Sequence, residues 1–168
     1  FAFAFYDGDR DRLYLARDRM GIKPLYYYQS NGAIYWASEI KAIAKTLGLV
    51  PDPIRTLHSA NNNAEKSVEH TLFKGLFSVN PGCYLTVDAD GEPRTVTYYD
   101  VVEDFDPLLY RELNGQSSEK IVAGFDKMFN GSVGRMLIAD APLGAFVSGG
   151  IDSSLISAVA TECNADIK

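Results

Sequence analysis

The chain is short of the residues that staple or metallate small proteins: it has two cysteines and two histidines in 168 residues. Cys83 and Cys163 form no CxxC pair and no Cys/His cluster, and His58 and His70 lack ligand spacing. Neither a disulfide framework nor a structural metal is expected. Both cysteines are expected as reduced, buried thiols of a cytoplasmic protein. An excess of positive charge is also missing. The net charge is −6, which argues against a nucleic-acid partner, because such a binder carries a basic face. No apolar run reaches the roughly 18 residues that span a bilayer, so no membrane segment is expected. The opening FAFAFYD has no charged leader, so no signal peptide is expected. What is present is a hydrophobic fraction of 46%, enough for a packed core and too high for a disordered chain.

The first third reads as antiparallel strands. Phe1, Phe3 and Phe5 alternate, DGDRD turns, and Leu13 to Ala16 resumes the strand. Leu25 to Gln29 and Ala33 to Ala37 flank Asn31-Gly32, a hairpin turn because both residues tolerate positive φ. Ser38 is expected to cap a helix with Glu39 at its positive end and Gly48 at its C-terminus. Pro51-Asp52-Pro53 is expected to stop anything helical. Residues 54–78 are ambiguous, with Asn61 to Asn63 read as loop. Cys83 to Val87 and Arg94 to Tyr99 pair around Asp90-Gly91.

Beyond residue 100 the character changes. Residues 104–116, with Pro107 and Gly115, suit a linker. Ser117 or Ser118 caps a helix whose stripe, Ile121, Val122, Phe125, Met128, Phe129, Val133, Met136 and Leu137, reads as a core face. An apolar strand, Leu143 to Val147, runs into Ser148-Gly149-Gly150 and then a last helix. Helix, uninterrupted strand and helix predict the start of a parallel α/β sheet. The chain opens inside a strand pattern and stops after a helix that should lead to another strand. A piece of a longer chain is therefore expected.

The turn after Val147 carries the chemistry. A strand that ends in a Gly-rich bend and feeds a helix offers unpaired backbone N–H groups, hydroxyls and a positive dipole end to one small anion. That suits a phosphate or pyrophosphate, and Asp152 beside it suits a magnesium ion bridging phosphates. No lysine follows the glycines, so this is not the GxxxxGK[ST] loop. Ser154 fits either the anion site or a helix cap, and both stay open.

Ser148-Gly149-Gly150-Ile151-Asp152-Ser153 resembles the signature of the PP-loop ATP pyrophosphatases, which cleave ATP between its α- and β-phosphates. Other segments select among them. Arg17-Asp18-Arg19-Met20-Gly21-Ile22-Lys23-Pro24-Leu25-Tyr26-Tyr27 and Ala37-Ser38-Glu39-Ile40-Lys41-Ala42 resemble two segments of class II glutamine amidotransferase domains. Leu72-Phe73-Lys74-Gly75 with Pro81-Gly82, and Ala139-Asp140-Ala141-Pro142-Leu143-Gly144, are similar to later segments of glutamine-hydrolysing asparagine synthetases. The order agrees over nearly the whole chain.

The resemblance implies three parts. Residues 1–103 would be the C-terminal part of a class II glutamine amidotransferase domain, an incomplete Ntn-type α+β fold of antiparallel sheets. Residues 104–116 would be a linker. Residues 117–168 would begin an asparagine synthetase, or ATP pyrophosphatase, domain with a parallel α/β sheet. It further implies a cytoplasmic ligase that takes aspartate, glutamine and ATP with Mg2+, and a full-length protein compatible with a homodimer. By the same resemblance Val147, Ser148, Gly149, Gly150, Asp152 and Ser153 bind ATP, and Asp152 holds the metal. Arg17, Asp18, Ser38 and Glu39 invite a catalytic role, but a salt-bridged turn and a helix cap explain them more simply. Met20 and Tyr26 could border an ammonia route, and apolar packing is the simpler account. Two other readings stay open: a relative that adenylates another carboxylate, as β-lactam-forming enzymes do, and a non-catalytic module that keeps the fold.

The family's nucleophile is an N-terminal cysteine, and residue 1 here is Phe. No catalytic residue is therefore assigned within the 168 residues. Taken alone they are expected neither to hydrolyse glutamine nor to make asparagine. Glutamate release from glutamine by a clean preparation of this polypeptide, assayed without added protein, would contradict that expectation.

Overall fold

The structure is a computed structural model that describes residues 1–60, 70–164 and 166–167. It divides into two compact units, Phe1–Phe105 and Asp106–Lys168. Among the described residues no helix is long and apolar enough to cross a membrane. The loop expected at Asn61 to Asn63 lies outside the described residues.

The first unit is built on two antiparallel sheets. Strands β1 (Ala2–Asp7), β2 (Arg12–Arg17), β6 (Cys83–Val87) and β7 (Pro93–Thr97) form one, in the order β1-β2-β6-β7. Strands β3 (Tyr26–Ser30), β4 (Ala33–Ala37) and β5 (Leu76–Ser78) form the other, in the order β4-β3-β5. The β3–β4 hairpin turns where the sequence predicts. Asn31 and Gly32 both sit at positive φ, 52° and 74°, as a two-residue turn with matching twist requires. Leu15 and Leu85 face each other across β2 and β6 and pack on Leu25, Tyr27 and Val79, so the core lies between the sheets. The period-2 alternation of β2 follows from this. Leu13 and Leu15 turn toward the core, whereas Tyr14 and Ala16 line the opposite face. On β1 it is Ala2 that meets the core, and Phe3 and Phe5 stay about half exposed.

Helix α1 (Ile40–Leu47) ends on Gly48 in the left-handed region, as expected, but it does not begin on Ser38. Glu39 occupies the N-cap position and makes no capping bond; its carboxylate pairs with exposed Lys41 instead. The Pro51-Asp52-Pro53 stretch does not exclude a helix. It starts α2 (Pro53–Ala60), because a proline at the first helical position lacks only an N–H that would have no partner there. Asp52 completes the start by accepting from the N–H groups of Ile54 and Arg55 at 2.9 and 3.3 Å.

In the second unit, the segment read as a linker carries helix α3 (Pro107–Asn114). Its start repeats the same device: Asp106 accepts from Leu108 and Leu109, with Pro107 at the first helical position. Helix α4 (Ser118–Met136) packs on α5 (Ile151–Cys163) through Val133, Val159 and Ala160, with Phe129 and Leu137 beside them. The expected core stripe of α4 is buried only there. Ile121, Val122, Phe125 and Met128 are exposed because α5 meets only the later turns of α4, and Met136, in the last turn, is exposed as well. Residues 143–147 belong to no β-ladder among the described residues. A strand needs a neighbour to take its hydrogen bonds, and none pairs with this segment. Cys83 is buried as expected, whereas Cys163, on the last turn of α5, is exposed.

Gly82 marks the tightest turn of the first unit. It has φ +66°, and a Cβ there would lie 2.3 Å from the carbonyl oxygen of Tyr99. Gly91 has φ +77° with open space around it. Gly91→Ala should therefore cost about 1–2 kcal/mol, the left-handed penalty alone. Gly82→Ala should cost more, because backbone must also move. Denaturant midpoints of the two variants measure this, and equal midpoints would contradict it.

Candidate functional site

The Gly-rich turn is formed entirely by local chain. Gly149 takes φ +83°, which an L side chain adopts only under strain, and nothing lies within 4 Å of where its Cβ would be. Gly150 is then the N-cap of α5, extended at φ −82° and ψ 162°, with no side chain capping the helix. The first-turn N–H groups at Ile151, Asp152 and Ser153 thus have neither an intrahelical acceptor nor a side-chain cap. They lie at the positive end of the helix dipole, where Ile151 and Asp152 are exposed and Ser153 is half-buried.

Hydroxyls hold the bend in shape. Ser153 Oγ accepts from the Ser148 N–H at 3.2 Å, lies 3.1 Å from Ser148 Oγ and donates to the Gly150 carbonyl at 3.2 Å. Ser148 and Ser153 therefore close a ring around the two glycines. Ser154 Oγ donates to the same carbonyl at 2.8 Å. Gly150 holds the N-cap position and no side chain caps it, so Ser154 is not the helix cap. Val147 is 57% exposed on the approach to the turn. Asp152 is exposed in the first turn of α5.

Among the described residues no three His, Cys, Asp or Glu side chains gather as a metal cage. One carboxylate beside open N–H groups is nevertheless a donor set that suits Mg2+ carried on phosphates. That ion keeps several waters and takes one or two carboxylates together with phosphate oxygens.

Arg17 and Asp18 are placed elsewhere, in the first unit. The buried Asp18 carboxylate accepts from the N–H groups of Met20, Ile22 and Lys23 at 3.1, 3.0 and 2.9 Å. The α-amino group of Phe1 lies 3.3 Å away. Arg17 binds the carbonyls of Lys23, Gly21 and Val79 at 2.8 Å each, and Ser78 Oγ at 3.0 Å. Tyr98 donates to the Arg17 carbonyl at 2.7 Å, and Gly82 N–H to the Asp18 carbonyl at 3.0 Å. Together these bonds tie loop 18–24 to Ser78, Val79, Gly82 and Tyr98. The structural role of this motif is visible only in three dimensions, since Ser78, Val79, Gly82 and Tyr98 are remote in sequence. Ser38 and Glu39 are exposed. Met20 is 68% exposed, so packing does not account for it, and Tyr26 is half-buried in β3.

Comparison with known proteins places both halves. Residues 1–99 match the glutamine amidotransferase domain family, and residues 124–168 match the asparagine synthase family. The chain is 37% identical over 163 residues to amidase chyE of Penicillium rubens, covering 96% of this chain and 23% of that protein. It is 34% identical over 162 residues to the glutamine-hydrolyzing asparagine synthetase 3 of Bacillus subtilis, covering 95% and 25%. It is 33% identical over 168 residues to asparagine synthetase 1 of the same organism, covering 100% and 25%. The chain thus spans about a quarter of the length of these relatives.

Burial raises the Asp18 carboxyl's pKa, but hydrogen bonds to it, led by the N–H groups of Lys23 and Ile22, outweigh it and leave the group well below its ordinary value of 3.8. A depressed folded value means that this carboxylate stabilises the fold above its unfolded pKa. The contribution is lost as pH falls through the folded value. Asp18→Asn should cost about 1–3 kcal/mol at pH 7, because the new amide presents a donor to donors. The gap between parent and variant should hold from pH 8 to about pH 5 and narrow below about pH 4. Urea titrations across that range test this, and a gap that widens in acid would refute it.

Proposed function

The chain belongs to the glutamine amidotransferase domain family through residues 1–99, and from that premise we propose that it is part of an ATP-dependent, glutamine-hydrolysing asparagine synthetase. The single observation that carries the ATP half is the open, uncapped start of α5 behind a glycine at φ +83°. Aspartate, ATP and glutamine would give asparagine, AMP, pyrophosphate and glutamate. The chemistry divides in two because a free carboxylate is a poor electrophile. Adenylation supplies a leaving group, and ammonia kept from water supplies the nucleophile.

In this reading the N–H groups at the start of α5 take the β- and γ-phosphate oxygens. Gly149 and Gly150 let backbone approach those oxygens without a Cβ in the way. Ser148 and Ser153 keep the bend in register and offer hydroxyls to the same oxygens. Val147 supplies an apolar contact to the nucleotide. Asp152 would hold Mg2+ at the pyrophosphate, where the ion neutralises charge that develops on the leaving group. Residues 117–168 would then be the opening of a parallel α/β domain, with 143–147 as a strand of it. Loop 18–24 would be scaffold for the amidotransferase half.

A second reading rests on the amidase of Penicillium rubens: the same two halves, with a carboxylate other than aspartate as acceptor. Exchange of labelled pyrophosphate into ATP separates the two in the protein that carries this sequence. Exchange that depends on aspartate supports the first reading, and exchange that ignores aspartate but responds to another carboxylate supports the second. Asp152→Asn should weaken Mg-ATP binding by about 10- to 100-fold, the worth of one interaction with a charged group. It should leave metal-free ATP binding nearly unchanged. Calorimetry with and without magnesium measures both, and an unaltered magnesium dependence would remove Asp152 from the metal site.

A further inference from the structure

We draw no further inference here: the strongest candidate, the open aromatic concavity that Phe3, Phe5, Tyr14 and Tyr84 line on the four-stranded sheet, is an unpartnered apolar sheet face, and nothing in the structure shows what covers it.

Discussion

The buried carboxylate of Asp18 is the constraint on which the first unit turns. A carboxylate leaves water at a cost that only several good donors offset. Here the donors are three consecutive-loop N–H groups, at Met20, Ile22 and Lys23. That choice forces the chain into a tight bend, with Gly21 at φ +65°. Arg17 next to it then finds carbonyls rather than carboxylates, and its guanidinium reaches Ser78 and Val79 at the far side of the turn. One charged pair in sequence thus joins the end of β2 to the start of β3 and to the exit of β5. The Asp18 carbonyl adds Gly82, whose lack of a Cβ lets Tyr98 and Tyr99 close onto it. The two sheets can share a core because this joint holds their connections at a fixed separation.

Elements closed by local chemistry were legible in the sequence. Asn31-Gly32 and Gly48 need only backbone preference and the residues next to them. Helices α2 and α3 were not legible, although their signals are local too. In both, an Asp-Pro pair begins a helix: Pro53 reads as a breaker and Pro107 as a linker residue, yet at the first helical position a proline lacks only an N–H that has no partner there. Ser38 failed for a related reason. A serine suits a cap, but the helix starts one residue later and leaves Glu39 in that place.

Burial proved less readable than secondary structure. The stripe on α4 has the period of a packed face, and the period is right, since the segment is helical throughout. Periodicity reports only that a face is apolar, and what covers it depends on a second element. Val133 has α5 opposite it and is buried, whereas no described element is shown packing on Phe125 and Met128, which are exposed. The same distinction separates residues 143–147 from β6. Both read as apolar strands, but β6 has β2 and β7 to take its hydrogen bonds.

The Gly-rich turn escapes that dependence, because its conformation is set within a dozen residues. Its geometry is held by Ser148, Ser153 and two glycines within six positions, so no remote element is needed to shape it. Its electrostatics come from a helix start, again local. What it lacks is equally informative. With neither a lysine nor a side-chain cap, the turn brings no fixed cation to an anion, only dipoles. Dipoles alone bind a multiply charged phosphate chain weakly in water, so the proposed function calls for a cation that arrives with the phosphates. In the proposed function a single carboxylate at Asp152 would meet such a cation only together with the phosphates that carry it. Under the proposed function, the turn would meet a metal–phosphate pair with dipoles for the phosphates and one carboxylate for the metal.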